Sequence, residues 1–207
     1  MTLAQTTRTS TRLDYIHHAV TKLSEAWMRP YPNRSGMRST FRRWRPDLAQ
    51  EPTHEMRDYI WAWMGSPEEL SEDDAIEEAS PYAMRTVDQA AALVALRAVA
   101  GDHSVSKPTT FGSALKTSEL SDHRLMRLLT MPRTMRLEAI HRILRSLDHK
   151  RAGFSWKGRE GRREVGRMIE YLYGTEEAAQ RSANQWAADF FASRGKTETD
   201  AETKTQA

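Results

Sequence analysis

The chain has 207 residues, enough for one ordinary domain with a buried core, and it contains no cysteine, which excludes disulfides and thiolate metal sites. Its formal net charge of +3 is strongly segregated: residues 1–50 carry +6, residues 51–106 carry −9, residues 107–173 carry +8 and residues 174–207 carry −2. No apolar run reaches the roughly 20 residues of a membrane span and the N-terminus lacks a signal peptide's apolar stretch, so we predict a cytoplasmic protein without membrane contacts.

Apolar residues recur with a period of 3.6 along most of the chain, while glycine, proline and β-branched residues are sparse. This pattern predicts an all-α fold, a helical bundle of about eight helices with short loops. A flexible N-terminus (1–12) precedes the domain (13–194, possible lobes 13–106 and 107–194), and a disordered polar tail (195–207) follows it. The predicted helices cover residues 13–28, 36–45, 53–64, 81–100, 121–131, 134–149, 162–173 and 176–193.

The first basic segment contains a short amphipathic helix, residues 36–45. Met37, Phe41 and Trp44 form its apolar ridge, and arginines occupy the adjacent flank. Arg38 and Arg42 are one helical turn apart, so their guanidinium groups can contact neighbouring phosphates.

The second basic segment begins with the predicted helix 121–131. Its leucines Leu125, Leu128 and Leu129 face inward, which leaves Arg127 outward and Arg124 at the edge of the apolar face.

The next predicted helix, 134–149, has an apolar seam from Leu137 to Leu147, and Arg142 and Arg145 lie opposite it. Glu138 precedes Arg142 by four residues, so an ion pair within the helix competes with a phosphate contact there.

More basic residues follow. Arg163 and Arg167 form a predicted outward i, i+4 pair, and the preceding basic residues are predicted to lie in a loop before residue 162. Between residues 107 and 173 there are 15 basic against 7 acidic side chains, whereas a salt-bridged surface would show both signs in similar numbers. Contacts from such a surface to phosphates would be independent of base sequence and would weaken with added salt.

Patterns of catalytic chemistry are missing from the sequence. The seven histidines show no His-Glu-x-x-His spacing, no Gly-x-Ser-x-Gly elbow is present, and no glycine-rich phosphate loop occurs. The carboxylates of the acidic segment 68–78 are dense enough to indicate a solvated face rather than a metal site. We therefore predict a protein that is not an enzyme, with no metal and no cofactor.

Seven short segments follow one another in a consistent order, namely Ser35–Arg45, Thr110–Leu115, Ser121–Leu129, Leu137–Leu147, Phe154–Trp156, Met168–Gly174 and Trp186–Phe191. In this order they resemble the small, CasB-type subunit of the type I-E CRISPR complex Cascade, and the resemblance extends over residues 13–194. Ser113 and Ser155 depart from the usual residues, a basic one and an aspartate, and the basic turn Lys157–Arg163 is longer than usual.

The resemblance implies a non-catalytic protein that stabilises the crRNA-guided R-loop in antiviral defence. Its implied partners are the Cascade backbone and large subunits, a second copy of itself, the crRNA and the target DNA. The acidic segment 68–78 would face a neighbouring subunit or repel DNA. The residues that we assign to nucleic-acid binding are Arg38, Arg42, Arg43, Arg124, Arg127, Arg142 and Arg145, with Lys107 and Lys116 as secondary candidates.

Two other functions compete. Helices 121–131 and 134–149 could form the helix-turn-helix of a stand-alone DNA-binding regulator, although no Gln or Asn lies between residues 121 and 149 to read base edges. A scaffold that binds proteins through the acidic segment is the other alternative.

Overall fold

The structure is a computed structural model that describes residues 15–23, 34–46, 51–64, 86–100, 110–150, 153–154, 156 and 158–205, the last thirteen as backbone only. These residues form nine helices and no strand, which confirms the predicted all-α fold. The chain divides into two compact units, Met1–Val99 and Ala100–Ala207. Among the described helices none is long and apolar enough to cross a membrane.

The helices are numbered in chain order. In the first unit they are α1 (15–23), α2 (Arg34–Arg43), α3 (His54–Met64) and α4 (Thr86–Val99). In the second unit they are α5 (Phe111–Thr117), α6 (Asp122–Leu129), α7 (Arg133–His149), α8 (Gly158–Tyr173) and α9 (Glu176–Thr205).

Helix α4 is the core of the first unit, because every one of its residues is buried and it packs against α2 and α3. A charged residue on such a helix needs a partner. Asp88 has one in Arg57 of α3, whose Nε lies 2.5 Å from the carboxylate. The hydrogen bond to Asp88 raises the pKa of Arg57, so the Arg57 guanidinium stays charged beside this carboxyl group.

Helix α9 organises the second unit by packing against α5, α6 and α8. Trp186 of α9 is fully buried, with its ring 4.8 Å from that of Phe111 and 5.0 Å from that of Tyr171. Helix α5 approaches α9 so closely that a Cβ at Gly112 would lie 2.3 Å from the Trp186 carbonyl oxygen. Gly112 is therefore required by packing, and any larger residue would separate the two helices.

Helix α5 was not predicted, since its seven residues contain too little apolar periodicity to recognise. Its ends are nevertheless well defined. The Thr110 hydroxyl accepts a hydrogen bond from the Ser113 N–H at the start. At the other end, the N–H groups of Leu120 and Glu119 donate to the Leu115 and Lys116 carbonyls, which is a Schellman motif with Glu119 in the left-handed region.

Two helix boundaries differ markedly from the prediction. Helix α8 begins at Gly158 rather than near residue 162, so Arg159 is helical rather than part of a loop. Helix α9 continues to Thr205, past the predicted helix end near residue 193. Gly174, the residue after α8, does not have a left-handed backbone, and a Cβ there would lie 2.6 Å from the Glu170 carbonyl oxygen.

Candidate nucleic-acid interface

Helix α6 is held rigidly, which fixes the direction of its arginines. The Ser121 hydroxyl caps its N-terminus by accepting the Arg124 N–H, and Leu125, Leu128 and Leu129 are buried. At its far end the Leu128 carbonyl accepts a hydrogen bond from the buried Tyr171 hydroxyl of α8. Burial raises the pKa of Tyr171 to about 12, which keeps this hydroxyl protonated as a donor. The opposite face of α6 is therefore presented to solvent.

A groove of about 490 Å³ separates α6 from α7, and it brings together three of the predicted arginines. Arg124 and Arg127 come from α6, and Arg142 comes from α7. The rest of the lining is mostly apolar, and Glu138 and Ser146 are its polar residues. The apolar lining residues are Leu120, Leu128, Met131, Met135, Ala139 and Ile143.

The arginines at this face are not equivalent. Arg124, Arg127 and Arg145 are exposed and have no ion pair within the described parts of the chain. Arg142 forms the predicted pair with Glu138, and its side chain is still 68% exposed. Among the described residues, α6 and α7 thus offer three guanidinium groups without a carboxylate partner and one whose charge is partly compensated.

Lys116, on α5, has a structural contact that the sequence did not predict. It is half-buried, and its Nζ lies 5.0 Å from the ring centroid of Phe190 in a cation–π arrangement. Lys107, the other secondary candidate, lies outside the described residues.

The predicted arginines of α2 belong to the first unit. Arg42 and Arg43 are exposed, whereas Arg38 is half-buried. The Arg43 Nε donates to the Ser39 carbonyl one turn earlier, at 3.3 Å. The apolar ridge is as predicted, because Met37, Phe41 and Trp44 are all buried.

The prediction that Arg163 and Arg167 form an outward pair is wrong. Arg163 is exposed, but the Arg167 side chain is only 11% exposed and forms ion pairs with Glu164 and, at 3.5 Å, with Asp189. Helical spacing alone placed Arg167 outward. The prediction failed because Asp189 comes from α9, a later helix whose position the spacing cannot give.

Two more arginines, neither of them predicted to matter, secure the start of α7. Arg136 is buried, donates to the Met131 and Tyr171 carbonyls at 3.0 and 3.1 Å, and pairs with Glu176. Arg133 donates to the Tyr173 carbonyl at 3.1 Å. The sequence did contain a signal for the burial of Arg136. It lies four residues before the seam residue Ile140 and therefore on the same face of the helix. Through these contacts, Arg133 and Arg136 stabilise the fold.

Within the described ranges, no three histidine, aspartate or glutamate side chains lie together as a set that could hold a metal ion.

Comparison with known proteins adds no relative: no protein-family model, curated protein or solved structure matches the chain.

Proposed function

We propose that this chain binds the sugar–phosphate backbone of nucleic acids, without base preference, through the face formed by α6 and α7. The observation that carries the proposal is the set of exposed arginines Arg124, Arg127 and Arg145, which have no ion pair in the described residues. A planar guanidinium donates two parallel hydrogen bonds to phosphate oxygens. On a helix, such groups bind without ordering of the backbone, so only the rotamer freedom of the side chains is lost.

The arrangement favours backbone contacts over the reading of bases. In a helix-turn-helix regulator, residues at the N-terminus of the second helix contact base edges. At the N-terminus of α7, both Arg133 and Arg136 donate to backbone carbonyls of this chain. This observation speaks against the regulator, although α6 and α7 are joined by a short turn as a regulator would require.

We further propose that the protein is the small subunit of a type I-E Cascade complex. The proposal rests on the ordered sequence resemblance, together with the all-α fold and the arginine face. In this role it would contact the backbone and large subunits, a second copy of itself, the crRNA and the target DNA. R-loop formation is a nearly balanced exchange of base pairs, so a few added phosphate contacts change its lifetime appreciably.

The binding proposal is tested with fluorescently labelled, scrambled oligonucleotides, both single-stranded and duplex. Replacing Arg124 and Arg127 together with alanine should weaken binding roughly tenfold or more, since hydrogen bonds to charged groups contribute more than neutral ones. R181A is the control, because it removes an exposed arginine from α9 outside the groove. An R124A/R127A variant that binds as tightly as R181A would eliminate the assigned face.

The same assay separates the alternatives. A regulator would prefer one operator duplex over scrambled DNA, and a scaffold would bind no oligonucleotide. Purification with native partners should recover a small RNA if the Cascade assignment is correct. In the reconstituted complex, replacing Arg42, Arg43, Arg124 and Arg127 with alanine should shorten the R-loop lifetime and leave the helical content unchanged.

A further inference from the structure

The groove between α6 and α7 has a feature that phosphate binding does not use, namely its apolar lining. Met135 lines it and is 46% exposed, and Met131 and Ile143 are partly exposed. A phosphate gains nothing from such side chains. The proposed function therefore leaves part of this surface unexplained.

The chemistry of the lining indicates what would bind there. Single-stranded nucleic acids place their bases on aromatic side chains, and none of the described residues that line the groove is aromatic. Leucine, isoleucine and methionine instead match the apolar face of a protein helix, and methionine adapts its shape to different partners. The groove's volume of about 490 Å³ lies within the range of roughly 300–1,000 Å³ that is usual for ligand-binding clefts.

The positive charge at the groove further restricts which kind of helix would bind there. Arg124 and Arg127, one turn apart on α6, lie at the groove and have no carboxylate partner among the described residues. Glu138, the one acidic side chain among the described lining residues, is already paired with Arg142. A helix seated against the apolar lining would bring its flanking residues next to Arg124 and Arg127, so carboxylates there would be favoured and lysines repelled.

We propose that the α6–α7 groove docks an amphipathic helix of a partner protein, with aliphatic residues on one face and glutamate or aspartate beside them. This inference goes beyond nucleic-acid binding and does not depend on it. A helix docked in this way covers Arg124 and Arg127, so these two side chains serve either the partner's carboxylates or phosphates at a given moment.

The probe is a fluorescein-labelled, lactam-stapled peptide with leucines at i, i+4 and i+7 and glutamates on both sides of them. Its fluorescence polarisation should rise on titration with the full-length protein. The same peptide with lysine in place of glutamate should not bind. Equal binding of both peptides, or binding of neither, would overturn the proposal.

Two methionines supply a matched pair of variants. M135N removes an apolar contact inside the groove, whereas M126N makes the same change on α6 at a residue that is 50% exposed and does not line the groove. M135N should weaken peptide binding roughly fivefold or more, and M126N should leave it unchanged. Equal effects of the two variants would overturn the proposal.

The scrambled oligonucleotide is titrated against the same two variants. Neither change alters charge, so backbone binding should be the same in both. If M135N weakens oligonucleotide binding as much as peptide binding, the groove takes nucleic acid and the peptide proposal is wrong. If the oligonucleotide fails to bind at all while the peptide results hold, the proposed function alone is wrong.

Discussion

Glu119 occupies a backbone position that suits glycine. Its φ is 59°, and it is the residue that closes the Schellman motif after α5. A side chain in the left-handed region costs about 1 kcal/mol or more. The ion pair of the Glu119 carboxylate offsets little of this cost, since the side chain is 90% exposed and lies 4.0 Å from the Lys150 Nζ.

E119G should therefore stabilise the protein, by roughly 0.5–1 kcal/mol after the greater freedom of glycine in the unfolded chain is subtracted. Urea unfolding measures the gain. E119A is the matched control, because it removes the carboxylate and keeps the Cβ that causes the cost. Equal stability of the two variants would show that the left-handed backbone is not the source of the effect.

Glu164 on α8 is a buried carboxylate whose titration should be visible in stability. Its side chain is 1% exposed, accepts the Phe111 N–H at 3.2 Å and pairs with Arg167. Burial raises the pKa of Glu164, an effect larger than the opposing attraction of Arg167. The folded state thus binds this proton more tightly than the unfolded state does. The resulting stabilisation is present below the ordinary pKa and is lost as the pH rises through the raised value.

E164Q removes this titration and keeps an oxygen for the Phe111 N–H. The stability of the natural protein relative to E164Q should therefore decrease as the pH rises through the interval above the ordinary glutamate pKa of about 4. Urea titrations across that interval measure the difference. E160Q changes an exposed carboxylate on the same helix and is the control. A difference that increases with pH would contradict the assigned direction.

At the scale of single helices, α7 begins without a side-chain cap, since its N-cap residue is Pro132. Arg136 ties this end of the helix to the Met131 and Tyr171 carbonyls and to Glu176. Its guanidinium also lies 4.9 Å from the ring centroid of Tyr171. Removing it leaves buried acceptors without donors, and each such group is costly.

R136M should therefore lower the free energy of unfolding by roughly 2–4 kcal/mol, measured by urea denaturation. R133M makes the same substitution on the same helix, where the exposed Arg133 donates one hydrogen bond to Tyr173. Its cost should stay below about 1.5 kcal/mol. If R133M proved as damaging as R136M, the buried network would not be what anchors α7.

The apolar faces of the helices could be predicted from the sequence, because a period of 3.6 is a local property. The buried ridge of α2 and the exposed arginines Arg127 and Arg145 follow directly from it. The burial of Arg167 and the hydrogen-bond partners of Arg136 could not be predicted, because Asp189 and Tyr171 lie on other helices. The groove was missed for the same reason, since it needs the relative placement of α6 and α7.

The charge of the whole chain is divided unevenly between the two units. Residues 107–173 of the second unit carry +8, whereas in the first unit residues 51–99 carry −8 beside the +6 of residues 1–50. In the first unit the Arg43 Nε also donates to the Ser39 carbonyl. We therefore expect the second unit to supply most of the phosphate contacts.

The salt dependence of oligonucleotide binding measures how many phosphate contacts each unit supplies. Each phosphate contact contributes about 0.9 to the slope of log K against log salt concentration for duplex DNA. R124A/R127A in the second unit should reduce the slope by about 2, whereas R42A/R43A in the first unit should reduce it by less. Each variant removes two positive charges from the full-length chain, so net charge cannot explain a difference between them. A larger reduction for R42A/R43A would place the principal nucleic-acid contacts on α2.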